Sequence, residues 1–290
     1  MKILLIVNPA SGKTDKQKIE DIISEYAVKY KYSWEVHYTE KQDARKKLEK
    51  KILEYKPDLV IAAGGDGTIN LVAQLLLNSP IEIGILPAGS ANGLAYNLNL
   101  PGNVRAALQK TLESKAKPFD AIRINQNYIC LHLGDVGINA QTVKRFERER
   151  SKGFIGYGKH MIQELWTKQQ AFSFYLSIKG HRKKYTAEML VLANAKAYGT
   201  GATINQDGKT DDGKFEIIII KPYPWWSLFR LIRMLFIGKR QHVDFVKVLS
   251  VSKADIKFRK PQDLQADGEI IEAISSLKAE ILPSALKIRY

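Results

Sequence analysis

The order of apolar and polar residues divides the chain into two parts with different periodicities. Up to about residue 118, short apolar runs at 3–7, 34–38, 59–63 and 81–86 alternate with segments whose apolar residues recur every three or four positions. The first of these segments places the following residues on one helical face: Ile19, Ile22, Ile23, Tyr26, Ala27 and Tyr30. Strands that alternate with helices predict βαβ units and a parallel sheet.

Beyond residue 118 the pattern changes to apolar strands separated by turns. Asn125-Gln126-Asn127 and Lys179-Gly180-His181 are such turns, and helical spacing recurs near 155–168 and 225–237. The predicted strands lie at 122–124, 128–133, 172–178, 186–193, 215–220, 243–251, 254–258, 269–273 and 277–281. Strands joined by short turns are typical of an antiparallel sheet. We therefore predict an α/β N-terminal domain with a parallel sheet, followed by a C-terminal antiparallel β-sandwich domain.

The composition is that of a globular protein, and its charge narrows the range of partners. Of the 290 residues, 45% are apolar and 26% are charged, and the formal net charge is +15. Such an excess favours anionic partners: nucleotides, nucleic acid or acidic membrane surfaces. Cys130 is the only cysteine, so there is no internal disulfide and we expect a cytoplasmic protein. The apolar run at 3–7 is too short for a signal peptide, and Arg230 and Arg233 interrupt the one at 225–237.

The run Gly64-Gly65-Asp66-Gly67-Thr68-Ile69-Asn70 connects a predicted buried strand to a predicted helix. Ligands bind at this point in parallel α/β sheets. The glycines allow the backbone to approach a ligand closely, and the N–H groups at the start of the helix attract phosphate. Asp66 can bind a divalent cation that bridges it to the phosphates, or accept a proton from an attacking hydroxyl. We expect it to have no packing role, although it could simply cap a helix in an ordinary turn.

Two more loops follow predicted strands. Leu86-Pro87-Ala88-Gly89-Ser90-Ala91-Asn92-Gly93 comes after the next strand, so two neighbouring strand ends would present polar loops to one ligand, unless this is only a turn capped by Ser90. Asn8-Pro9-Ala10-Ser11-Gly12-Lys13-Thr14 ends like a Walker A loop, but Val7 stands where that loop needs its first glycine. Its amides and lysine can still contact phosphate. The G-x-G-x-x-G fingerprint is absent, which argues against a dehydrogenase.

The order N-P-x-S-G, G-G-D-G-T and P-x-G-[ST]-x-N resembles the catalytic domain of the diacylglycerol kinase family of lipid kinases, which includes sphingosine and ceramide kinases. The resemblance extends to Thr39-Glu40, Asp120, Asp211-Asp212-Gly213 and Asp267-Gly268-Glu269. It implies that the N-terminal domain binds ATP, that a β-sandwich covers the lipid site, and that the final strand, 286–290, returns to the first domain. The predicted domains are therefore 1–118 with 284–290, and 119–283.

The resemblance also implies roles for particular residues. It puts Asp267 and Glu269 at the position of the general base. Asp66 is the third predicted catalytic residue, on the chemistry of its own loop. The magnesium site would comprise Asp212 and the carbonyls of Lys209 and Lys214, with Asp120 beside them. The resemblance puts Thr39, residues 64–70 and Ser90 on ATP. The loops that follow the predicted strands add Asn8, Ser11, Gly12, Gly89 and Asn92 to the predicted ATP-binding residues. Taken alone, Asp267-Gly268-Glu269 is more simply a hairpin turn.

Several positions differ from the common pattern of the family and leave the acceptor open. Leu71, Gly93 and Asn139 stand where many members have acidic residues, and the segment 89–95 looks more like the sphingosine kinase version. We therefore predict a lipid kinase that uses ATP and Mg²⁺, with diacylglycerol or a similar lipid as the acceptor. The alternatives are a sphingoid-base kinase and a non-catalytic nucleotide- or membrane-binding module. NAD kinases share G-G-D-G-T, but their later motifs have no counterpart in this chain.

The segment 222–236 mixes aromatic residues, aliphatic residues and arginines, as a helix at a membrane interface does. A helix that packs its apolar face onto the sandwich has much the same pattern. The basic run at 144–152 is typical of a solvated helix face, although it could contact anionic headgroups. We expect a membrane lipid as substrate and peripheral contact with anionic membranes. Nucleic acid is not an expected partner because the basic residues are dispersed, and a homodimer is left open.

Overall fold

The structure is a computed structural model that describes residues 1–11, 16–40, 43–89, 92–137, 171–198, 202–237 and 243–290. The chain forms two compact units, Met1–Phe119 together with Ser284–Tyr290, and Asp120–Pro283. Several predicted features lie outside the described residues: Gly12, Ser90, Asn139, the helix at 155–168 and the basic run at 144–152. Among the described residues, no helix is both long and apolar enough to cross a bilayer.

The first unit is an α/β structure with a parallel sheet, as the periodicity predicted. Its elements are β1 (Lys2–Val7), α1 (Lys16–Tyr30), β2 (Ser33–Tyr38), α2 (Ala44–Tyr55), β3 (Leu59–Gly64), α3 (Asp66–Leu75), β4 (Glu82–Pro87), α4 (Gly93–Asn97) and α5 (Val104–Glu113). The strands lie in the order β2-β1-β3-β4 and all pair in parallel. Near the C-terminus of the chain, Ile288 adds a parallel partner to β4 at Ile83. The short helix α4 was missed because five residues are too few to show a period.

Apolar side chains on both faces of β1 and β3 explain why these strands are continuous apolar runs. Alternate residues of the two strands, such as Leu5 and Ile61, pack with the apolar face of α1 and with Leu108 of α5. The intervening residues, such as Leu4 and Val60, are equally buried. Burial on both faces is typical of a parallel sheet covered by helices. It places the polar loops at the ends of the strands.

The second unit is an antiparallel β-sandwich, again as predicted. Its elements are β5 (Ala116–Ile124), β6 (Tyr128–Cys130), β7 (Leu133–Gly137), β8 (Phe172–Ile178), β9 (His181–Ala187), β10 (Met189–Ala193), β11 (Phe215–Ile220), a 3₁₀ turn (Trp225–Ser227), α6 (Leu228–Ile237), β12 (Val246–Val251), β13 (Lys253–Ala266) and β14 (Glu269–Arg289). One set of strands has the order β12-β11-β10-β7-β13-β14, and β8 and β9 extend from β13. The first and last strands named here, β5 and β14, each continue into residues of the first unit.

Two apolar clusters cover the two faces of β10 and β11. Leu190 and Ile217 point into a cluster shared with β8, β13 and β14. Their neighbours Val191 and Ile218 point into a second cluster with Leu231 of α6. Because successive side chains of a strand point to opposite faces, both faces of these strands are buried. This double burial explains the uninterrupted isoleucines of β11.

Some predicted strands have different bounds in the structure. The run predicted at 128–133 is divided into β6 and β7, because the backbone N–H groups of Leu131 and His132 donate to a side chain. The run at 186–193 is divided between β9 and β10 at Glu188. The predicted strands at 269–273 and 277–281 are both part of the long strand β14. Such boundaries depend on contacts between distant segments, which a local pattern does not contain.

Candidate functional site

Two glycine-containing loops meet at the ends of β3 and β4. The strands pair in parallel up to Gly64 and Pro87, and Ala88 N–H donates to the Gly64 carbonyl at 3.0 Å. A Cβ atom on Gly89 would lie 2.4 Å from the Gly65 Cα, which is closer than atoms can approach. Glycine at position 89 is therefore required for the two loops to be in contact.

The loop after β1 is tied to the first glycine loop. Asn8 Nδ2 donates to Thr68 Oγ1 at 3.2 Å, and the Ser11 hydroxyl donates to the Asn8 carbonyl at 2.8 Å. A Cβ atom on Gly64 would lie 2.4 Å from Thr68 Oγ1, so the absence of a side chain at 64 makes room for this hydroxyl. Within the first unit, the structure thus brings together the predicted residues Asn8, Ser11, Gly64 and Thr68.

Asp66 caps the helix of the second loop. Its Oδ2 accepts from Gly93 N–H at 2.8 Å and its Oδ1 from Leu94 N–H at 2.9 Å, at the start of α4. The expectation that Asp66 has no packing role is therefore wrong, because its carboxylate binds the first residues of α4 across the two loops. Each carboxylate oxygen has two acceptor positions, so the capped carboxylate retains the capacity to bind a cation.

Asn92 shapes the second loop. Its side-chain Oδ1 accepts from Gly89 N–H at 2.8 Å and its Nδ2 donates to the Gly89 carbonyl at 2.9 Å. Its φ of 52° lies in the left-handed region, which asparagine tolerates better than most residues. Asn92 therefore acts on the loop backbone, while Asp66 holds the residues that follow.

The start of α3 offers backbone donors beside these loops. Gly65 is the N-terminal cap of α3, has an extended backbone and makes no side-chain cap. Thr68 N–H donates to the Gly65 carbonyl at 3.0 Å, as does Ile69 N–H at 3.2 Å, so these two donors are used within the helix. The N–H groups of Asp66 and Gly67 precede them at the start of α3. The first turn of a helix attracts anions through its N–H groups and the helix dipole. The side chain of Ile69 is buried, so this predicted ATP-binding residue could contact a nucleotide only through its backbone.

Thr39 and Asn70 are two further residues predicted to bind ATP. Thr39 N–H donates to the Val7 carbonyl at 2.9 Å and so lies directly beyond the paired ends of β1 and β2. Asn70 is buried one turn into α3, where its Oδ1 accepts from Gln74 Nε2 at 2.6 Å. The Asn70 side chain is thus engaged within its own helix, whereas Thr39 lies on a strand end.

In the second unit, Asp267-Gly268 is a two-residue hairpin turn between β13 and β14. Asp267 has a φ of 49° and Gly268 a φ of 89°, so the backbone of both residues lies in the left-handed region. This is the pattern of the turn that joins right-twisted antiparallel strands most readily, for which Asp-Gly is a preferred sequence. This segment was predicted as either a hairpin or a catalytic motif, and the hairpin is present.

The Asp267 carboxylate is buried among donors. It accepts the backbone N–H groups of Leu131 at 2.6 Å, His132 at 3.0 Å and Leu133 at 3.3 Å, and the Cys130 thiol at 3.3 Å. His132 Nδ1 lies 2.6 Å from its Oδ1. Burial by itself would raise the pKa of Asp267, but His132 and the backbone donors outweigh it and hold that pKa below its usual value. Burial and the nearby Asp267 raise the pKa of Cys130 well above its usual value.

Glu269 differs from Asp267 although only Gly268 separates them. It is exposed, begins β14 and pairs with Ala266 across the hairpin. A carboxylate that is ionised and enclosed by donors is poorly placed to take a proton from a substrate, whereas an exposed one is accessible. Of the two predicted general bases, Glu269 is therefore the accessible one and Asp267 the one that anchors the turn.

A buried polar network supports the same turn, and sequence reasoning missed it. Gly268 N–H donates to Gln265 Oε1 at 2.6 Å, and Gln265 Nε2 donates to Asp135 Oδ2 at 2.6 Å. The Tyr198 hydroxyl also donates to Asp135 Oδ2, at 3.2 Å. The signal that could have found it is Asp135 itself, because a fully buried acidic residue inside an apolar strand requires partners.

The predicted magnesium residues lie on one loop and the strand beside it. Asp120 is fully buried, and its Oδ2 accepts from Gly213 N–H at 2.7 Å. Asp212 is exposed, and its Oδ1 accepts from Lys214 N–H at 3.1 Å. Together with the carbonyls of Lys209 and Lys214, Asp212 offers only oxygen donors, which suits a hard cation. Among the described residues, no group of three or more His, Cys, Asp or Glu side chains could hold a metal ion, so the backbone carbonyls would have to contribute.

Comparison with known families defines the class of protein. Residues 2–124 match the diacylglycerol kinase catalytic domain. Residues 135–290, more than half of the chain, match the YegS C-terminal NAD kinase beta sandwich-like domain. The fold is thus that of a diacylglycerol kinase. The chain belongs to the family of lipid kinases that combine these two domains.

Individual relatives agree with this assignment. A protein of Pectobacterium atrosepticum named "Probable lipid kinase YegS-like" is 25% identical over 299 residues, which are 99% of this chain and 95% of that protein. A diacylglycerol kinase of Staphylococcus aureus is 27% identical over 273 residues, or 91% of this chain and 85% of that protein. The crystal structure of a diacylglycerol kinase from Bacillus anthracis str. Sterne has a TM-score of 0.78 at 20% identity, covers 100% of this chain and 96% of that one, and shows the same fold.

Proposed function

We propose that this protein transfers the γ-phosphoryl group of ATP to a hydroxyl of a membrane lipid, with diacylglycerol or a similar glycerolipid as the acceptor. The observation that carries this proposal is the contact between the loops of Gly65 and Gly89 at the ends of two parallel strands. Loops at this position of an α/β sheet commonly bind phosphate. One of these loops leads directly into the first turn of α3, and the N-terminus of a helix attracts anions.

In this proposal the first unit binds the ATP phosphates mainly through its backbone. The glycines at 65 and 89 allow the two loops to touch at the strand ends, and Asn8 and Thr68 hold the neighbouring loop. Asp66 has two roles in this proposal. It caps α4, and its remaining acceptor positions can bind a divalent cation carried by the nucleotide. A carboxylate without such a cation would repel the phosphates.

The acceptor chemistry is assigned to Glu269. The oxygen of the lipid hydroxyl forms a bond to the γ-phosphorus, and the bond from that phosphorus to the oxygen bridging to the β-phosphorus breaks, so ADP leaves with the electron pair. The proton of the hydroxyl passes to the Glu269 carboxylate. Asp267 contributes by fixing the turn from which Glu269 extends, through the N–H groups of residues 131–133. Magnesium bound with ATP would neutralise part of the charge on the phosphates.

A second magnesium ion is proposed to be structural, held by Asp212 and the carbonyls of Lys209 and Lys214. The test uses unfolding rather than activity. Mg²⁺ should raise the melting temperature of the protein without nucleotide, and Asp212→Asn should abolish that increase. Asp211→Asn removes the neighbouring exposed carboxylate and is the matched control. An equal increase in the two variants would refute the site.

The acceptor class is tested with radiolabelled ATP and a panel of lipids in mixed micelles. Phosphorylation of diacylglycerol is expected, and Glu269→Gln should reduce it by about 100-fold or more, the effect of losing a general base. Glu280→Gln, at another exposed position of β14, should leave the rate unchanged. Phosphorylation of sphingosine alone would favour the sphingoid-base kinase, and ATP binding with no lipid product would favour the non-catalytic module.

We also propose that the protein works in the cytoplasm as a peripheral protein on anionic membranes. The net charge of +15 supports this, because a basic surface is attracted to acidic headgroups within about a Debye length. Binding to vesicles should therefore rise with the fraction of anionic lipid and fall as salt is added. A homodimer remains a prediction, and sedimentation velocity would measure the oligomeric state of the protein in solution.

A further inference from the structure

Helix α6 and the 3₁₀ turn before it carry apolar side chains on two faces. One face is buried: Leu228, Leu231 and Leu235 belong to the apolar cluster that covers β10 and β11. This packing accounts for the helix as a part of the sandwich. It does not account for the residues on the other face, which do not contribute to that cluster.

The other face exposes three large aromatic side chains. Trp225 is 72% exposed, Trp226 is 65% exposed and Phe229 is 70% exposed. The rings of Trp225 and Trp226 are edge to face, with centroids 6.0 Å apart. Because burying apolar surface is favourable, three large aromatic side chains exposed together represent a considerable unused driving force for association. Exposed apolar clusters of this kind mark sites of interaction with a protein or a membrane.

The charge around the aromatic residues distinguishes between these partners. Arg230 and Arg233 are exposed and lie on the same side of α6 as Phe229. The sequence from Lys221 to Ile237 contains no aspartate or glutamate. A second copy of the chain would bring like charges together across a symmetric interface, which is unfavourable. An anionic bilayer instead offers apolar volume for the rings and phosphates for the guanidinium groups.

Tryptophan and arginine both suit the boundary between headgroups and acyl chains. A tryptophan ring is largely apolar but carries an N–H donor, and it concentrates at this depth in membrane proteins. Arginine can extend its charged group towards the headgroups while its methylene groups remain in apolar surroundings. A helix that lies in the plane of the interface has the same combination, with apolar residues turned towards the acyl chains and basic residues near the headgroups.

We propose that Trp225, Trp226, Phe229, Arg230 and Arg233 form a docking surface that inserts its aromatic rings into the interface of a bilayer containing anionic lipids. The inference deepens the proposed function, because it identifies where the enzyme would meet the membrane that holds its substrate. It makes binding depend on ring insertion as well as on the overall charge of the protein.

The first test measures co-sedimentation of the full chain with vesicles of phosphatidylcholine with or without phosphatidylglycerol. The variant Trp225→Ala/Trp226→Ala/Phe229→Ala should bind the anionic vesicles more weakly than the wild type, by about tenfold or a larger factor. Val28→Ala/Leu53→Ala/Val248→Ala removes three exposed aliphatic side chains elsewhere and should bind as the wild type does. Because all the altered side chains are exposed, both variants should keep the wild-type melting temperature.

The second test separates the arginines from the general charge. Arg230→Gln/Arg233→Gln should weaken binding to anionic vesicles and flatten its dependence on salt. Arg259→Gln/Lys260→Gln removes the same charge from exposed positions of β13 and should have a smaller effect. Equal effects of the two charge variants would show that only net charge matters and would overturn the role assigned to Arg230 and Arg233.

Insertion itself is measured by tryptophan fluorescence. Wild-type emission should shift to shorter wavelength on anionic vesicles and be quenched by lipids brominated on their acyl chains. Trp225→Phe/Trp226→Phe keeps aromatic rings at both positions and should bind vesicles but lose most of the shift. An unchanged shift in this variant would place the inserted tryptophan elsewhere and overturn the proposal.

The outcomes also separate docking from catalysis. With a short-chain, water-soluble diacylglycerol, the triple alanine variant should retain wild-type kinase activity, whereas with long-chain diacylglycerol in vesicles it should lose activity in parallel with binding. If the protein phosphorylates no lipid but the variant loses vesicle binding, the proposed function fails and the docking surface stands. Vesicle binding by the variant equal to that of the wild type would refute the docking surface, as would conversion of a wild-type dimer to a monomer by the same substitutions.

Discussion

Each unit contains a motif aspartate that binds backbone N–H groups, but the two carboxylates differ in burial. Asp66 is half-buried and caps two residues at the start of a short helix. Asp267 is buried and accepts from three successive backbone N–H groups, with His132 and Cys130 beside it. A carboxylate in a signature motif can thus be engaged first by backbone N–H groups of its own unit. The exposed fraction that remains then decides whether the carboxylate can also contact a substrate or a cation.

The largest expected effect separates Asp267 from Glu269. Asp267→Asn places an amide among donors and leaves His132 without its carboxylate, so we expect a loss of about 3–5 kcal/mol in the free energy of unfolding. Asp255→Asn, at an exposed position of β13, is the control. Urea denaturation followed by fluorescence measures the difference. If Asp267→Asn unfolds like the control yet abolishes activity, Asp267 belongs to the chemistry and its anchoring role is wrong.

A smaller effect is expected from filling the contact between the glycine loops. A Cβ at position 89 would meet the Gly65 Cα at 2.4 Å, whereas a Cβ at position 65 would lie 3.4 Å from the Gly89 Cα. Gly89→Ala should therefore reduce stability by about 1–3 kcal/mol and weaken ATP binding, and Gly65→Ala should be far milder. Calorimetric titration with ATP compares the two variants. Equal affinities for ATP would show that the contact between the loops is not needed to bind the nucleotide.

Asp66→Asn tests whether the half-buried carboxylate has two roles. The amide can accept one of the two N–H groups of α4 but turns a donor towards the other, so we expect a loss of about 1–2 kcal/mol in stability. Asp43 precedes α2 without a side-chain cap, so Asp43→Asn should cost little. If Asp66 also binds a cation, the Asp66 variant should in addition lose the Mg²⁺ dependence of ATP binding. Retention of that dependence would limit Asp66 to capping.

The smallest effect is a dependence of stability on acid pH. Because the folded pKa of Asp267 lies below its unfolded value of about 3.9, its stabilising contribution is complete above that pH and is lost as the pH falls through the folded pKa. The wild type should therefore lose stability more steeply on acidification than Asp267→Asn. Unfolding curves at a series of acid pH values measure both slopes. Parallel slopes would mean that the native state does not favour the ionised carboxylate.

Local patterns were sufficient for most of the elements. The spacing of Ile19, Ile22 and Tyr26 predicted α1, because a helix brings every third or fourth residue onto one face. The apolar runs of β1 and β3 predicted buried strands, and the glycine motifs were placed at their ends. The short helix α4 was not predicted, because five residues show no period. The break between β6 and β7 was not predicted either, because it depends on hydrogen bonds to Asp267.

The sequence predicted which acidic residues belong to the candidate site, but not which role each of them has. Asp66, Asp267 and Glu269 were all predicted to be catalytic, and nothing in the motifs distinguishes an enclosed carboxylate from an accessible one. His132, Asp135 and Gln265 were not considered, since each is unremarkable in its local segment. Their importance arises from hydrogen bonds between residues far apart in the chain: Gln265 reaches Asp135 over 130 positions.

The sequence by itself determined the two kinds of fold, the lipid kinase family and the glycine loops, because these depend on periodicity and on contiguous motifs. Only the tertiary structure decided what each functional group does. It brought residues 131–133 around Asp267, set Asp66 against Gly93, and left Trp225, Trp226 and Phe229 exposed while Leu231 was buried. Burial and hydrogen bonding between distant segments follow from the folded arrangement of the whole unit, which no local pattern contains.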